Sequence, residues 1–153
     1  MATALSDDLL DDLVAAGQAD VLVVLPTHDH AKSVGPVAHA IQGAFTGRYV
    51  RERTVLFNVD AGSTDGTQEV IRSGGPPREE VVSHRFALRT IHRITTPYHG
   101  IVDRTTALRM AFTAAELVQA RAVVVLDPTA SGITAEDVVS WIGAVLDDGA
   151  DYV

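Results

Sequence analysis

The stretch that decides the fold is Val55-Leu56-Phe57-Asn58-Val59-Asp60-Ala61-Gly62-Ser63-Thr64-Asp65-Gly66-Thr67. A mostly apolar run ends at a carboxylate, and a turn with two glycines then leads into a helical pattern. In an open α/β sheet, ligands bind outside the carboxyl ends of the strands. Asp60 stands at such an end, so we expect the functional site to include it.

Two further units of the same design lie on either side of this one. The run Val21–Leu25 leads into Pro26-Thr27-His28-Asp29, and the run Ala122–Leu126 leads into Asp127-Pro128. Uninterrupted apolar runs are typical of strands that are buried on both faces. Because the carboxyl ends of parallel strands meet at one edge of the sheet, the three polar tips are expected to line one crevice.

Helical and strand patterns alternate along the chain. Helices are predicted over residues 6–16, 33–45, 67–72, 104–118 and 134–146, and strands over 21–25, 54–59, 90–94 and 122–126. This alternation predicts an α/β fold with a doubly wound, mostly parallel sheet and helices on both faces. Residues 73–90, which include Gly74-Gly75-Pro76-Pro77, give no readable pattern beyond loop punctuation.

Several local features are specific enough to be checked. Gly17 is expected to end the first helix, and Pro26 to end the first strand. Thr134 and Asp137 predict a capping box at the last helix. Two apolar stripes are expected to face the core, one on the first helix and one on the helix over 104–118. Their members are Leu9, Leu10, Leu13 and Val14, and Leu108, Ala111, Phe112, Ala115 and Leu117 or Val118.

Composition excludes several classes of function. The 153 residues carry 12 basic and 20 acidic side chains, a formal net charge of −8, and no cysteine. An acidic chain is a poor binder of nucleic acid, and the lack of cysteine excludes disulfides and thiolate chemistry. We find neither a secretory signal nor an apolar run long enough to cross a bilayer, which predicts a cytoplasmic protein without a transmembrane segment.

The last residues, Asp151-Tyr152-Val153, resemble the start of another strand. We therefore expect the chain to be the N-terminal part of a longer design, truncated on its C-terminal side. Residues 1–20 would form a helical extension, and residues 21–153 the nucleotide-binding part of a larger domain. An unpaired sheet edge favours self-association, so a homodimer is left open.

The three strand tips together resemble the family 2 glycosyltransferases, which have the Rossmann-like GT-A fold. In that family the first strand ends in Pro-Thr-Tyr-Asn-Glu, the second in Asp-Asp-Gly-Ser-Thr-Asp-Gly-Thr and the fourth in Asp-X-Asp. The order and approximate separation of these elements match here. The segment 100–109 is similar to the Gly-Lys-Gly-X-Ala-Leu-Arg element of branches related to glucosylglycerate, mannosylglycerate and glucosyl-phosphoglycerate synthases.

The resemblance implies a glycosyltransferase that moves a sugar from a nucleotide-sugar donor to the hydroxyl of an unknown acceptor. It implies that Asp60 accepts from a base N–H and that Asp29 holds the ribose or the base. Arg104 would reach the diphosphate, and Asp127 would bind ribose or a divalent cation, Mg²⁺ or Mn²⁺. The implied donor-binding residues are Pro26, Thr27, Asp29, Asp60, Arg104 and Asp127.

The sequence also departs from the family pattern. His30 replaces the usual Glu, Ala61 replaces the second acid of the Asp-Asp pair, and Thr129 replaces the second Asp of Asp-X-Asp. A hydroxyl is a weaker metal ligand than a carboxylate. Asp103 and Thr105 replace the glycines that flank the basic residue at 104. The family's general base comes from a later part of the domain, beyond Val153, so the isolated chain is predicted to be inactive or nearly so.

Two alternatives compete with the enzyme hypothesis. The departures favour a degenerate GT-A domain that has no catalytic activity and acts as a binding or interaction module. An unrelated receiver-like or flavodoxin-like domain ranks last, because Pro26 and Thr27 stand where a receiver carries its acid pair. At the level of single residues, Asp65 is expected mainly to cap a helix, and Asp127 is as well explained by a simple turn.

Overall fold

The computed structural model describes residues 7–48, 52–73, 91–97 and 104–150; for residues 8, 9, 12, 16, 91–97 and 104–107 the description covers the backbone. The elements are α1 (Asp7–Ala16), β1 (Val21–Thr27), α2 (Val34–Thr46), β2 (Thr54–Asp60), α3 (Thr67–Ser73), β3 (Ile91–Pro97), α4 (Arg104–Val118), β4 (Ala122–Val125) and α5 (Ala135–Leu146). The predicted α/β alternation is confirmed. The predictions for 74–90 and 151–153 lie outside the described residues.

The described strands form a four-stranded parallel sheet in the order β3-β2-β1-β4. Two apolar layers cover its faces. The side chains of Val55, Phe57 and Val59 pack with α1 and α4, and those of Val21, Val23, Leu25 and Leu56 pack with α2, α3 and α5. The molecule is therefore a Rossmann-like three-layer fold, because two-face burial of a parallel sheet needs helices on both sides.

Helix termini follow the predicted rules. Gly17 has φ +72° and donates its N–H to the carbonyls of Leu13 and Val14, which ends α1. Thr134 caps α5: its hydroxyl accepts from the Asp137 N–H, and the Asp137 carboxylate accepts from the Thr134 N–H. The capping box is confirmed.

The prediction that Pro26 ends the first strand is wrong, since β1 continues to Thr27. Carbonyls alternate sides along a strand: that of Thr27 accepts from Ala61 beyond β2, and that of Val24 accepts from Leu126 beyond β4. The missing N–H of Pro26 therefore faces the β4 side, past the last residue pair of that ladder, Val24 with Val125. No hydrogen bond between β1 and β4 is therefore lost because of the proline.

Some predicted core residues are exposed. Phe112 is 59% exposed because the buried stripe of α4 runs through Ala111, Ala114 and Val118. Phe112 lies two positions from Ala114, about 200° round the helix. Val14 of α1 is 72% exposed, one position round from the buried Leu13.

The expectation that the fourth strand is buried on both faces is also wrong. Val125 is 40% exposed, since β4 is the last of the described strands in the sheet and pairs on one side with β1. Within the described residues, no helix combines the length and apolarity needed to cross a bilayer.

Candidate functional site

The strand order places a topological switch point between β1 and β4. The chain passes from β1 to β2 to β3 in one direction and then returns to the other side of β1 to form β4. In doubly wound sheets, a crevice opens at this point beyond the carboxyl ends of the strands. The residues that follow β1 and β4 lie at this switch point, and Asp29 and Asp127 are among them.

The loop after β1 (residues 28–33, tip loop 1) and the loop after β2 (residues 61–66, tip loop 2) are bonded to each other. Their strands end in register, with Thr27 opposite Asp60. Hydrogen bonds join the two loops, their strand ends and Thr67 at the start of α3; the donors are Thr27, Asp29, His30, Ala31, Ala61 and Thr64. We call this linked pair the clasp.

Asp60 lies at the centre of the clasp and is 1% exposed. Its Oδ1 accepts from the hydroxyls of Thr27 at 2.7 Å and Ser63 at 2.6 Å. Its Oδ2 accepts from the backbone N–H groups of Gly62 at 3.1 Å and Ser63 at 2.8 Å. The carboxylate therefore folds tip loop 2 back over the end of β2.

Burial by itself raises the pKa of Asp60, because it disfavours the charged form. The hydrogen bonds from the Ser63 hydroxyl, the Thr27 hydroxyl and the backbone N–H groups of Ser63 and Gly62 outweigh that effect. The pKa of Asp60 consequently lies below its ordinary value of 3.8. Asp60 is thus held as a carboxylate at neutral pH.

Asp29 occupies the tip of loop 1 in a left-handed backbone conformation, with φ +53°. Its N–H donates to the Ser63 hydroxyl at 2.8 Å, and its Oδ1 accepts from the Thr64 N–H at 2.8 Å. Its Oδ2 lies 3.7 Å from Nε2 of His28. Asp and Asn tolerate positive φ better than most residues, and here two cross-loop bonds hold the conformation.

Asp65 makes the reciprocal link from tip loop 2. Its Oδ2 accepts from the Ala31 N–H at 3.0 Å, and its Oδ1 accepts from the Thr67 N–H, the first of α3, at 3.1 Å. The Thr67 hydroxyl also donates to Asp65 and accepts from the His30 N–H. That hydroxyl bond is the largest cause of the lowered pKa of Asp65; burial acts in the opposite direction, and backbone N–H groups add to the lowering.

Asn58 supports the clasp from within β2. Its Nδ2 donates to the Leu25 carbonyl at 2.8 Å and to the Thr27 hydroxyl at 2.9 Å. A chain of hydrogen bonds therefore runs from Asn58 through Thr27 to Asp60. Asn58 is fully buried, and its Oδ1 has no hydrogen-bond partner among the described residues. A polar residue inside an apolar strand was the available sequence signal for this role.

Asp127 forms a local turn beyond β4. Its Oδ1 accepts from the N–H of Thr129 at 2.8 Å and from the Thr129 hydroxyl at 2.6 Å. Thr129 thus donates to the carboxylate at the position where the family pattern has a second acid. No three acidic or histidine side chains within the described residues are arranged to hold a metal ion. The donor set at this tip offers one carboxylate, which does not fit a two-carboxylate cation site.

The other predicted site residues lie at the same edge. Pro26 is partly exposed at the end of β1, whereas Thr27 is buried and committed to Asp60 and Asn58. Arg104 begins α4, where the description covers the backbone. The structure thus brings three of these residues together: Thr27 bonds directly to Asp60, and Asp29 is linked to Asp60 through Ser63. The topology places Arg104 and Asp127 at the same end of the sheet.

Comparison with known proteins adds no family: no protein-family model matches the chain, and no curated protein sequence matches it.

Proposed function

We propose that this chain supplies the donor-nucleotide site of a family 2-like glycosyltransferase with the GT-A fold. The clasp at the ends of β1 and β2, beside the switch point next to β4, carries the proposal. A ligand at a switch point meets groups from several strand tips at once. The clasp presents oxygen acceptors suited to the N–H and hydroxyl groups of a nucleoside.

The N-termini of the helices at the carboxyl edge of the sheet support a binding position for the diphosphate. Parallel βα units put the N-termini of their helices at the carboxyl edge of the sheet, where the free N–H groups and the helix dipole favour anions. The first turns of α2 and α4 contain no acidic residue, and Arg104 is the first residue of α4. By contrast, α3 and α5 carry acids in their first turns, namely Glu69, Glu136 and Asp137.

In the proposed reaction, the oxygen of an acceptor hydroxyl bonds to the anomeric carbon of the sugar as the bond from that carbon to the nucleoside diphosphate breaks. The hydroxyl proton passes to a general base, which the family supplies from a later part of its domain. Arg104 and the N-terminal N–H groups of α4 would neutralise the departing diphosphate. Asp29, held in place by the clasp, would fix the nucleoside. At the tip of β4 a divalent cation would have one carboxylate ligand, that of Asp127. The negative charge of the diphosphate would therefore be neutralised in this chain mainly by cationic side chains and backbone N–H groups.

The test is titration calorimetry of the full chain with UDP, GDP and ADP, with and without Mg²⁺ or Mn²⁺. The proposal predicts saturable binding of at least one nucleotide, lost on Arg104→Ala. Replacing Arg109, an exposed arginine further along α4, by Ala is the matched control and should leave the affinity unchanged. A folded chain that binds none of the three would refute the proposed donor site.

A second candidate is a GT-A domain that binds ligand or partner without catalysis. The bond from the Thr129 hydroxyl to Asp127 favours it, since the pair supplies one carboxylate where the family pattern supplies two. Thr129→Asp restores that second acid and should make nucleotide binding respond to Mn²⁺. Ser131→Asp, a neighbouring exposed position, adds the same charge as a control. Wild-type binding that already strengthens with Mn²⁺ would contradict this candidate.

A further inference from the structure

We propose that Asp29, and not Asp60, is the carboxylate that touches the nucleoside, and that Asp60 positions Asp29 through the hydroxyl of Ser63. This inference rests on the proposed function, and it reverses the role that the sequence pattern gives to Asp60. It makes Ser63 a positioning residue of the site.

Asp60 has no acceptor left for a ligand. An ionised carboxylate offers about four lone-pair positions. In this structure Thr27, Gly62 and Ser63 fill them with four hydrogen bonds, two on each oxygen. Asp60 is also 1% exposed, so a base N–H would have to displace a bond of the clasp to reach it.

The carboxylate of Asp29, unlike that of Asp60, is exposed and is not fully used by hydrogen bonds within the protein. Its side chain is 43% exposed, and its Oδ1 accepts from Thr64. Oδ2 lies 3.7 Å from Nε2 of His28, which is too long for a hydrogen bond, and it accepts no hydrogen bond from the part of the chain that the structure describes. Oδ2 therefore keeps acceptor capacity beyond the carboxyl end of β1, next to the switch point. Such an oxygen selects a hydroxyl or N–H donor and repels phosphate, which points to the ribose hydroxyls or a base N–H.

Ser63 joins the two acids through one hydroxyl group. A serine hydroxyl has a single proton, and here it goes to Asp60 at 2.6 Å. The lone pairs of the same oxygen are then directed to accept from the Asp29 N–H at 2.8 Å. That bond helps to hold Asp29 at φ +53°, a conformation that persists where the surroundings enforce it. Asp60 therefore acts on the ligand only through the orientation of Asp29.

The contact role is tested with two matched amide variants. Asp29→Asn keeps the Oδ1 acceptor and a residue type that tolerates positive φ, but it replaces Oδ2 by a donor. It should weaken binding of the nucleotide that the wild type binds best among UDP, GDP and ADP by about tenfold, with thermal stability unchanged. Asp60→Asn should lower thermal stability, and because the Asn Oδ1 can still accept from the Ser63 hydroxyl, its affinity, measured where the variant is fully folded, should fall by less than that of Asp29→Asn.

The positioning role has a readout that needs no ligand. In Ser63→Ala the Asp29 amide loses its acceptor, so its hydrogen-exchange rate should rise, and Ser63→Thr should restore the wild-type rate. Asp29 amide exchange that is unaffected by Ser63→Ala overturns the positioning role. Loss of nucleotide affinity in Asp60→Asn with none in Asp29→Asn overturns the contact role. A wild-type chain that binds none of the three nucleotides overturns the proposed function and the contact role together, whereas the exchange experiment still decides the role of Ser63.

Discussion

Thr27 and Asp60 end neighbouring strands at the same register position, and the Thr27 hydroxyl donates to Asp60 Oδ1 over 2.7 Å. The same hydroxyl accepts from Asn58, so one threonine connects the sheet interior to the carboxylate at its edge. The geometry of the candidate site is thereby set by the pairing of β1 with β2. Changes at this junction should therefore lower the stability of the fold first of all.

We expect Asp60→Asn to lower the free energy of unfolding by about 2 kcal/mol, measured by urea denaturation at neutral pH. In the wild type, Asp60 Oδ2 accepts from two backbone N–H groups, and an asparagine amide nitrogen at that position cannot accept from them. Because the site is buried, these N–H groups would be left without a partner. Asp29→Asn makes the same chemical change at an exposed position and should cost less than about 0.5 kcal/mol. Equal losses in the two variants would contradict this account.

The lowered pKa of Asp60 predicts an acid limb of stability. The native state binds its proton less readily than the unfolded chain, whose carboxyl titrates near the ordinary value of 3.8. The stabilisation from this group is therefore complete above that value and is lost as the pH falls through the lowered native pKa. Because Asp65 also has a lowered pKa, the quantity to measure is the difference in unfolding free energy between wild type and Asp60→Asn. This difference in unfolding free energy should become smaller as the pH drops below 3.8. A difference that stays constant down to pH ~2 would contradict the lowered pKa of Asp60.

Thr27→Val removes the central hydroxyl while keeping the shape of the side chain. Asp60 loses a donor and the Asn58 amide loses an acceptor in a buried setting, so we expect a loss of about 1–2 kcal/mol in urea denaturation. Thr46→Val, at an exposed position of α2 where the hydroxyl donates to the Gln42 carbonyl, is the control and should change stability by less than about 0.5 kcal/mol. A neutral Thr27→Val would show that the hydrogen-bond chain does not stabilise the fold.

Gly66→Ala tests the turn at the end of tip loop 2. Gly66 has φ +90°, and a Cβ there would meet Glu69 Oε2 at 3.9 Å, so the cost is conformational and not steric crowding. We expect a loss of about 1–2 kcal/mol, read from the thermal midpoint or urea denaturation. Gly35→Ala in α2 is the matched control: its Cβ would make an ordinary 3.6 Å contact with Val70, and helix propensity favours the change. If both variants gained stability, the turn would not need a glycine.

Local sequence signals predicted the elements well where local physics decides them. The apolar runs predicted β1, β2 and β4, the capping box predicted the start of α5, and Gly17 predicted the end of α1. Phe112 was misassigned because a helix with apolar residues on several faces does not show which face the sheet will cover. The exposure of β4 was missed because an apolar run does not show whether a strand has one neighbour or two.

The roles of the polar side chains at the site were harder to predict than the position of the site. The sequence indicated that Asp29, Asp60 and Asp65 lie near strand tips, but which of them faces outward depends on bonds between residues more than 30 positions apart. Ser63 lies in the stretch that matches the family pattern, but a serine in a turn does not show which groups its hydroxyl will join. Its role depends on the register that brings two loops together, which only the folded sheet defines.

The clasp also has a consequence for folding kinetics. Its bonds join residues 33 to 37 positions apart, so each can form only after β1 and β2 have paired in their native register. Contacts between distant residues pay the entropy of loop closure before they stabilise anything. A partly folded chain with its helices formed would therefore carry no ligand site. Binding competence should appear in the same kinetic phase as strand pairing and vanish with the first step that separates the two strands.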